Sequence, residues 1–281
     1  MTRLDSCTLD VVRVFLFVLL FLLAGCPHFV RPEFPHTDAN VLLRAHDSMR
    51  ARVTSLRAEA RVDQRGHDGR IRGTVLMFVE RPNHVRFDAM TQFGPAAILT
   101  SDGETFSLTD LRENRFLVGP TCPINIARLI GIPLSGDDIG RMLLGGPPTL
   151  PHATATLTLT DDNLYRITER APDGSWQEMD YTIREVDAHA QPLEQRLRLM
   201  RAESHDASGA TVFKVLYDDY RVLPLGEMGV AMPFEVKFFD MRRDSDVVIR
   251  FESIDLNVTV PEGAFQQTPP PAVSVEEVSC E

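Results

Sequence analysis

Residues 55–80 read SLRAEARVDQRGHDGRIRGTVLMFVE, and their spacing sets the fold class. Leu56, Ala58, Ala60 and Val62 alternate with polar side chains, Gly66-His67-Asp68-Gly69 turns the chain, and Ile71, Val75, Met77 and Val79 continue the apolar set. Successive side chains of a strand point to opposite faces, so this is a hairpin with one apolar and one polar face. The period recurs downstream in Val85 and Phe87, in Ile98, in Phe106 and Leu108, and in Ala153, Ala155, Leu157 and Leu159 between threonines. More strands fall near 165–169, 176–186, 193–201, 212–220, 234–239 and 247–258. About a dozen antiparallel strands are expected from this pattern.

Two stretches break the rhythm. After Asp38, a natural N-cap, the apolar positions Val41, Leu42, Ala45, Met49 and Val53 follow helical spacing. Between the prolines at 120 and 148, residues 121–130 and 138–144 read as two short helices; Ser135 or Asp137 caps the second, and Gly145-Gly146-Pro147-Pro148 ends it. A long meander with such an insertion gives an α+β domain. Its single antiparallel sheet curls into an open (half) β-barrel, and the helices cover the apolar face as a lid.

Composition narrows the class. The chain has 281 residues, 43% of them hydrophobic and 25% charged, which fits one globular domain rather than a disordered, fibrous or multi-pass protein. A net charge of −11 supplies no basic field for phosphates, so nucleic acid is not an expected partner. The chain lacks G-x-S-x-G, H-E-x-x-H, P-loop and G-x-G-x-x-G patterns, and its histidines are scattered singly. No catalytic residue, metal site or cofactor is assigned.

The apolar residues are unevenly placed. Residues 14–24, VFLFVLLFLLA, form an uncharged run after Arg3 and Arg13. A membrane span needs roughly 20 such residues, whereas a signal-peptide core needs about 7 to 15. Leu23-Ala24-Gly25-Cys26 follows and resembles the bacterial lipobox, which implies a lipoprotein signal peptide over 1–25 and a diacylglyceryl chain on Cys26. Pro27 follows it rather than the aspartate linked to inner-membrane retention, so delivery to the outer membrane is the expectation. Residues 26–36, with Pro27, Pro32 and Pro35, read as a lipidated, semi-extended tether to a folded domain over 37–265. The proline-rich stretch 266–281 reads as a disordered tail. With Cys7 in the leader and Cys26 modified, Cys122 and Cys280 are the remaining thiols; an oxidising periplasm permits their bond without requiring it.

Two stretches carry a family resemblance. Residues 84–94, HVRFDAMTQFG, are similar to a strand and loop of the LolB-like outer-membrane lipoproteins. Residues 129–134, LIGIPL, and 142–147, MLLGGP, resemble that family's helix pair. With the lipobox, order and spacing agree over roughly 26–148; Gln92 stands where the family has proline and Met142 where it has tryptophan. The resemblance implies a LolA/LolB-like fold with an apolar cavity for the acyl chains of lipoproteins or lipids. It also implies attachment to the inner leaflet of the outer membrane and a LolA-like periplasmic carrier as partner. Candidate cavity-lining residues are Val75, Met77, Phe87, Ile98, Phe106, Leu108, Ile249 and Phe251. Candidate lid residues are Ile126, Leu129, Ile130, Met142 and Leu143, and Phe93 with Gly94 forms a candidate membrane-contact loop. The alternative reading is a structural or adaptor lipoprotein that holds a partner through a sheet edge or its tail, without lipid cargo.

Overall fold

The computed structural model describes residues 29–67, 69–226, 229–271 and 273–280; the expected leader and Cys26 lie outside them. Helix α1 (Ala39–Ala51) precedes a meander of β1 (Ser55–Gly66), β2 (Gly69–Glu80), β3 (His84–Thr91), β4 (Gly94–Ser101), β5 (Thr105–Asp110) and β6 (Arg115–Pro120). Two short helices follow, α2 (Pro123–Ile130) and α3 (Gly136–Leu143). A second meander contains β7 (Thr154–Leu159), β8 (Tyr165–Arg170), β9 (Trp176–Thr182), β10 (Arg198–His205), β11 (Thr211–Leu223), β12 (Val230–Asp240) and β13 (Ser245–Leu256); β14 (Ser274–Glu277) ends the series.

Among the described residues, 14 strands join one sheet in the order β14-β6-β5-β4-β3-β2-β1-β13-β12-β11-β10-β9-β8-β7. The two meanders meet where β1 pairs with β13, from Leu56 opposite Leu256 to Arg65 opposite Asp246. Neighbours are antiparallel except β14, which runs parallel to β6. The sheet stays open, with β7 and β14 at its edges. Irregularities at Glu59/Ala60, Ala89/Met90, Leu199/Arg201 and Ser204/His205 add the local bend and twist that curl a large sheet.

One face carries the core. Leu117, Leu108, Leu99, Phe87, Met77 and Ala58 lie opposite one another from β6 to β1. From β7 to β13 the row is Leu157, Ile167, Met179, Ala202, Val215, Phe238 and Val247. The other face uses the chain's arginines in cross-strand ion pairs, such as Arg70 and Arg72 with Asp63, and Arg166 and Arg201 with Asp180.

Three expectations need correction. The tail does not hang free: Ser274–Glu277 forms β14, Arg115 pairs with Glu276, and Cys280 is disulfide-bonded to Cys122, with their Cα atoms 6.1 Å apart. A polar, proline-rich segment is held here by ladder bonds and a covalent link, with Val278 packed against the core. The tether is docked as well. Asn163 Nδ2 donates to the Phe29 carbonyl (2.9 Å), Glu33 N–H to Ala188 (2.8 Å), and Gln195 Nε2 to Phe34 (2.7 Å), while the His36 N–H donates to the Tyr165 hydroxyl (3.1 Å). Finally, Asp38 caps α1 as expected, accepting from Val41 N–H, but the buried stripe is Ala39, Leu42, His46 and Arg50 rather than Val41, Ala45 and Met49. The helix lies rotated by about one residue (roughly 100°) from the orientation its apolar side chains alone dictate.

Candidate functional site

The lid residues and the inner face of the sheet pack directly together. Val75, Met77, Phe87, Phe106, Leu108, Ile249 and Phe251 are each no more than 6% exposed and belong to one contiguous core. Ile126, Ile130, Met142 and Leu143 are buried in the same core, and Leu129 is half-buried against it. Ile98 is the exception: it pairs with Asp88 and Thr109 on the outer face, and its neighbours Ala97 and Leu99 point inward. The run 96–99 is apolar at every position, so its phase cannot be read from alternation. The outer side of Ile98 is covered by the tail, where Gln267 Nε2 donates to the Ile98 carbonyl (3.0 Å) and to Thr100 Oγ1 (3.1 Å). A cleft of about 220 Å³ on this outer face is lined by Asp102, Thr105, Ser107, Gln266 and Gln267 together with Phe265, and is mostly polar.

Helix α2 lies over β3, β4 and β5, and α3 over β3. Ser135 caps α3 by accepting from Asp138 N–H, and the chain leaves it at Gly145, whose φ of +75° is the left-handed helix-ending conformation. A Cβ there would sit 2.9 Å from Pro233 Cδ, so only glycine permits this approach to β12.

The end of α3 is tied down by polar groups that sequence patterning missed. Arg50 donates from Nε to the Leu144 carbonyl (2.8 Å), placing a cation at the helix C-terminus, where carbonyl dipoles favour it. Its Nη1 donates to the His46 backbone carbonyl (3.2 Å), and Tyr217 donates to the Gly146 carbonyl (2.7 Å). Tyr181 on β9 stacks edge-on against His46, with centroids 4.9 Å apart. Burial pushes Tyr220 on β11 up to about 12, against the pull of Arg50. The signal was present in the spacing of Ala39, Leu42, His46 and Arg50, but the residue types concealed it.

Burial also holds His46 down to about 4; the Arg50 charge adds to this and Asp47 opposes it. The neutral ring keeps a proton on Nδ1 toward Asp47 (3.4 Å), leaving Nε2 as an unpaired acceptor, which is less costly than an unpaired donor. The folded state therefore refuses a proton that the unfolded chain accepts near 6.5. Stability from this group is complete above that pH and falls by about 3 kcal/mol as pH drops toward 4. Denaturation midpoints across pH 7 to 4 will show this loss in the parent and not in His46→Leu.

Phe93 stands apart from the core. It is 90% exposed in the turn between β3 and β4, where Thr91 Oγ1 accepts from Phe93 N–H (3.2 Å) and donates to the Gly94 carbonyl (2.8 Å). Gly94 has a φ of +120°. The turn holds an apolar ring outward on a hydrogen-bonded base.

An open, mostly antiparallel sheet with its concave face under short helices is the LolA-like fold, and solved structures agree. A putative outer membrane lipoprotein-sorting protein domain from Vibrio parahaemolyticus superposes with a TM-score of 0.53 at 9% identity, covering 81% of this chain and 97% of that one. A LolA superfamily protein from Nitrosomonas europaea gives 0.52 at 10%, covering 83% and 99%, and a DUF1329 family protein from Desulfovibrio piger gives 0.56 at 12%, covering 82% and 98%. No protein-family model matches the sequence, and no curated protein does.

Proposed function

We propose that this chain is a lipid-anchored outer-membrane protein that shelters acyl chains between its sheet and the α2–α3 lid, and so assists placement of lipoproteins or lipids. The observation that carries this reading is the interior itself: a continuous apolar surface closed by two eight-residue helices. Such helices are too short to be stable alone and depend on their tertiary contacts, so an apolar guest entering between lid and sheet exchanges one set of apolar contacts for another. Each acyl methylene entering contributes about 0.8 kcal/mol, which makes transfer downhill by differential affinity, without nucleotide chemistry. The fold it shares with a lipoprotein-sorting domain and a LolA superfamily protein supports the reading. A LolA-like carrier is the partner this scheme requires, and Phe93 with Gly94 forms the exposed apolar loop that the family resemblance assigns to membrane contact.

Cys26→Ser is the direct test of the anchor. The parent is expected in the outer-membrane fraction with diacylglycerol and acyl mass added, and the variant in the soluble periplasm. Native mass spectrometry of that soluble variant is expected to show bound acyl chains. A variant that stays in the membrane, or that never carries lipid and leaves lipoproteins correctly localised when depleted, would overturn the proposal. A second reading, an adaptor without cargo, is favoured by one feature: edge strand β7, Thr154–Leu159, carries no charge to discourage pairing with another chain. A stoichiometric partner co-purifying with a lipid-free protein would select it.

A further inference from the structure

The docked tether fixes more than a connection. Following the antiparallel register strand by strand, the turns at 92–93, 111–114, 171–175, 206–210 and 241–244 share one end of the sheet. The turns at 102–104 and 160–164 and the segment 183–197 share the other. The N-terminal segment is bound at this second end, to Asn163, Ala188 and Gln195. Phe93 is therefore at the opposite end of the strands from the point where the chain enters the domain.

Both ends expose apolar side chains, so apolarity alone does not choose between them. Phe93, Leu111 and Met241 are exposed at the first; Phe34, Val186 and Leu193 are exposed at the second. The leash decides. Only Pro27 and His28 separate Cys26 from Phe29, whose carbonyl is held by Asn163. Three peptide links reach at most roughly 11 Å. A lipid on Cys26 holds its backbone at the headgroup boundary, so the 160–164 turn must lie within about that distance of the bilayer while the strap is docked.

We propose that the end of the sheet bearing Phe34, Val186 and Leu193 is the membrane-contact surface, and that Phe93 faces away from the bilayer that holds the anchor. This rests on lipidation of Cys26. Val186 and Leu193 sit in single 3-10 turns, Glu185–Asp187 and Pro192–Glu194, and the residues that end these turns, Ala188 and Gln195, are hydrogen-bonded to Glu33 and Phe34 of the N-terminal segment, so patch and anchor form one unit. Their side chains enter the headgroup boundary, and the Phe93 loop is presented to the periplasm, where an incoming carrier arrives. The role of that loop then changes from inserting into the anchoring membrane to receiving cargo.

The experiment uses the full lipidated protein in vesicles of phosphatidylethanolamine and phosphatidylglycerol containing a lipid-borne fluorescence quencher. An environment-sensitive dye is attached at Leu193→Cys in one preparation and at Phe93→Cys in another, with the native disulfide left oxidised. Quenching several-fold stronger at 193 than at 93 is the expected result. Equal quenching, or stronger quenching at 93, overturns the orientation. Intact mass is measured on the same samples: absence of the diacylglyceryl and acyl additions means that the anchor reading has failed, and the orientation with it. Correct mass with reversed quenching means that only the orientation has failed.

Discussion

Phe87→Ala is expected to destabilise the protein by about 3–5 kcal/mol, the usual cost of emptying an aromatic site in a core that cannot fully collapse. Phe87 is fully buried between Met77 of β2 and Leu99 of β4, beneath the lid. The variant also asks a functional question. An apolar void stays dry and accepts apolar guests, so palmitate is expected to restore the melting temperature of Phe87→Ala further than it raises that of the parent. At a hundredfold excess over Kd the gain is about 2.7 kcal/mol. A variant equally destabilised but indifferent to palmitate would mean that this part of the interior is core and not an acyl site.

Removing the Cys122–Cys280 disulfide is the second large perturbation. The bond spans 158 residues and joins the N-cap of α2 to the end of the β14 strap. Cys280→Ser is expected to lower stability by about 2–4 kcal/mol, because the unfolded chain regains the freedom that the cross-link removes. The loss has a location. Val278 N–H donates to Val118 (2.9 Å) and Ser274 N–H to Asn114 (3.1 Å), so the amides of 274–278 should lose hydrogen-exchange protection before the rest of the sheet. Uniform loss of protection would show that β14 is held mainly by its ladder and the Gln267 contacts.

What the sequence made legible follows from what its patterns encode. Alternation records burial on one face, so β1, β2 and the resulting open, lidded sheet can be read from residues 55–80. The same rule fails at Ile98, because a second covered face erases the alternation that would fix its phase. Helical spacing placed α1 but not its rotation, since His46 and Arg50 point inward, His46 against the Tyr181 ring and Arg50 onto the Leu144 and His46 carbonyls, and do not resemble core residues. The segment at 29–36 is held by scattered hydrogen bonds to Asn163, Tyr165, Ala188 and Gln195, and the strand at 274–277 by its ladder with β6. Such partners lie more than a hundred residues away and leave no local mark. Phe93 and Gly94 were legible as an exposed turn, whereas the end of the sheet they occupy emerges only from the complete register.

The pairing of β1 with β13 also has a consequence for biogenesis. Leu56 waits for Leu256, so the first meander presents an unpaired strand edge until nearly the whole chain has been synthesised. Contacts this distant in sequence form slowly, and the open edge is a template for mispairing during the wait. A chain arrested before residue 245 lacks the strand that covers β1, and its first half would depend on a holding chaperone to remain soluble.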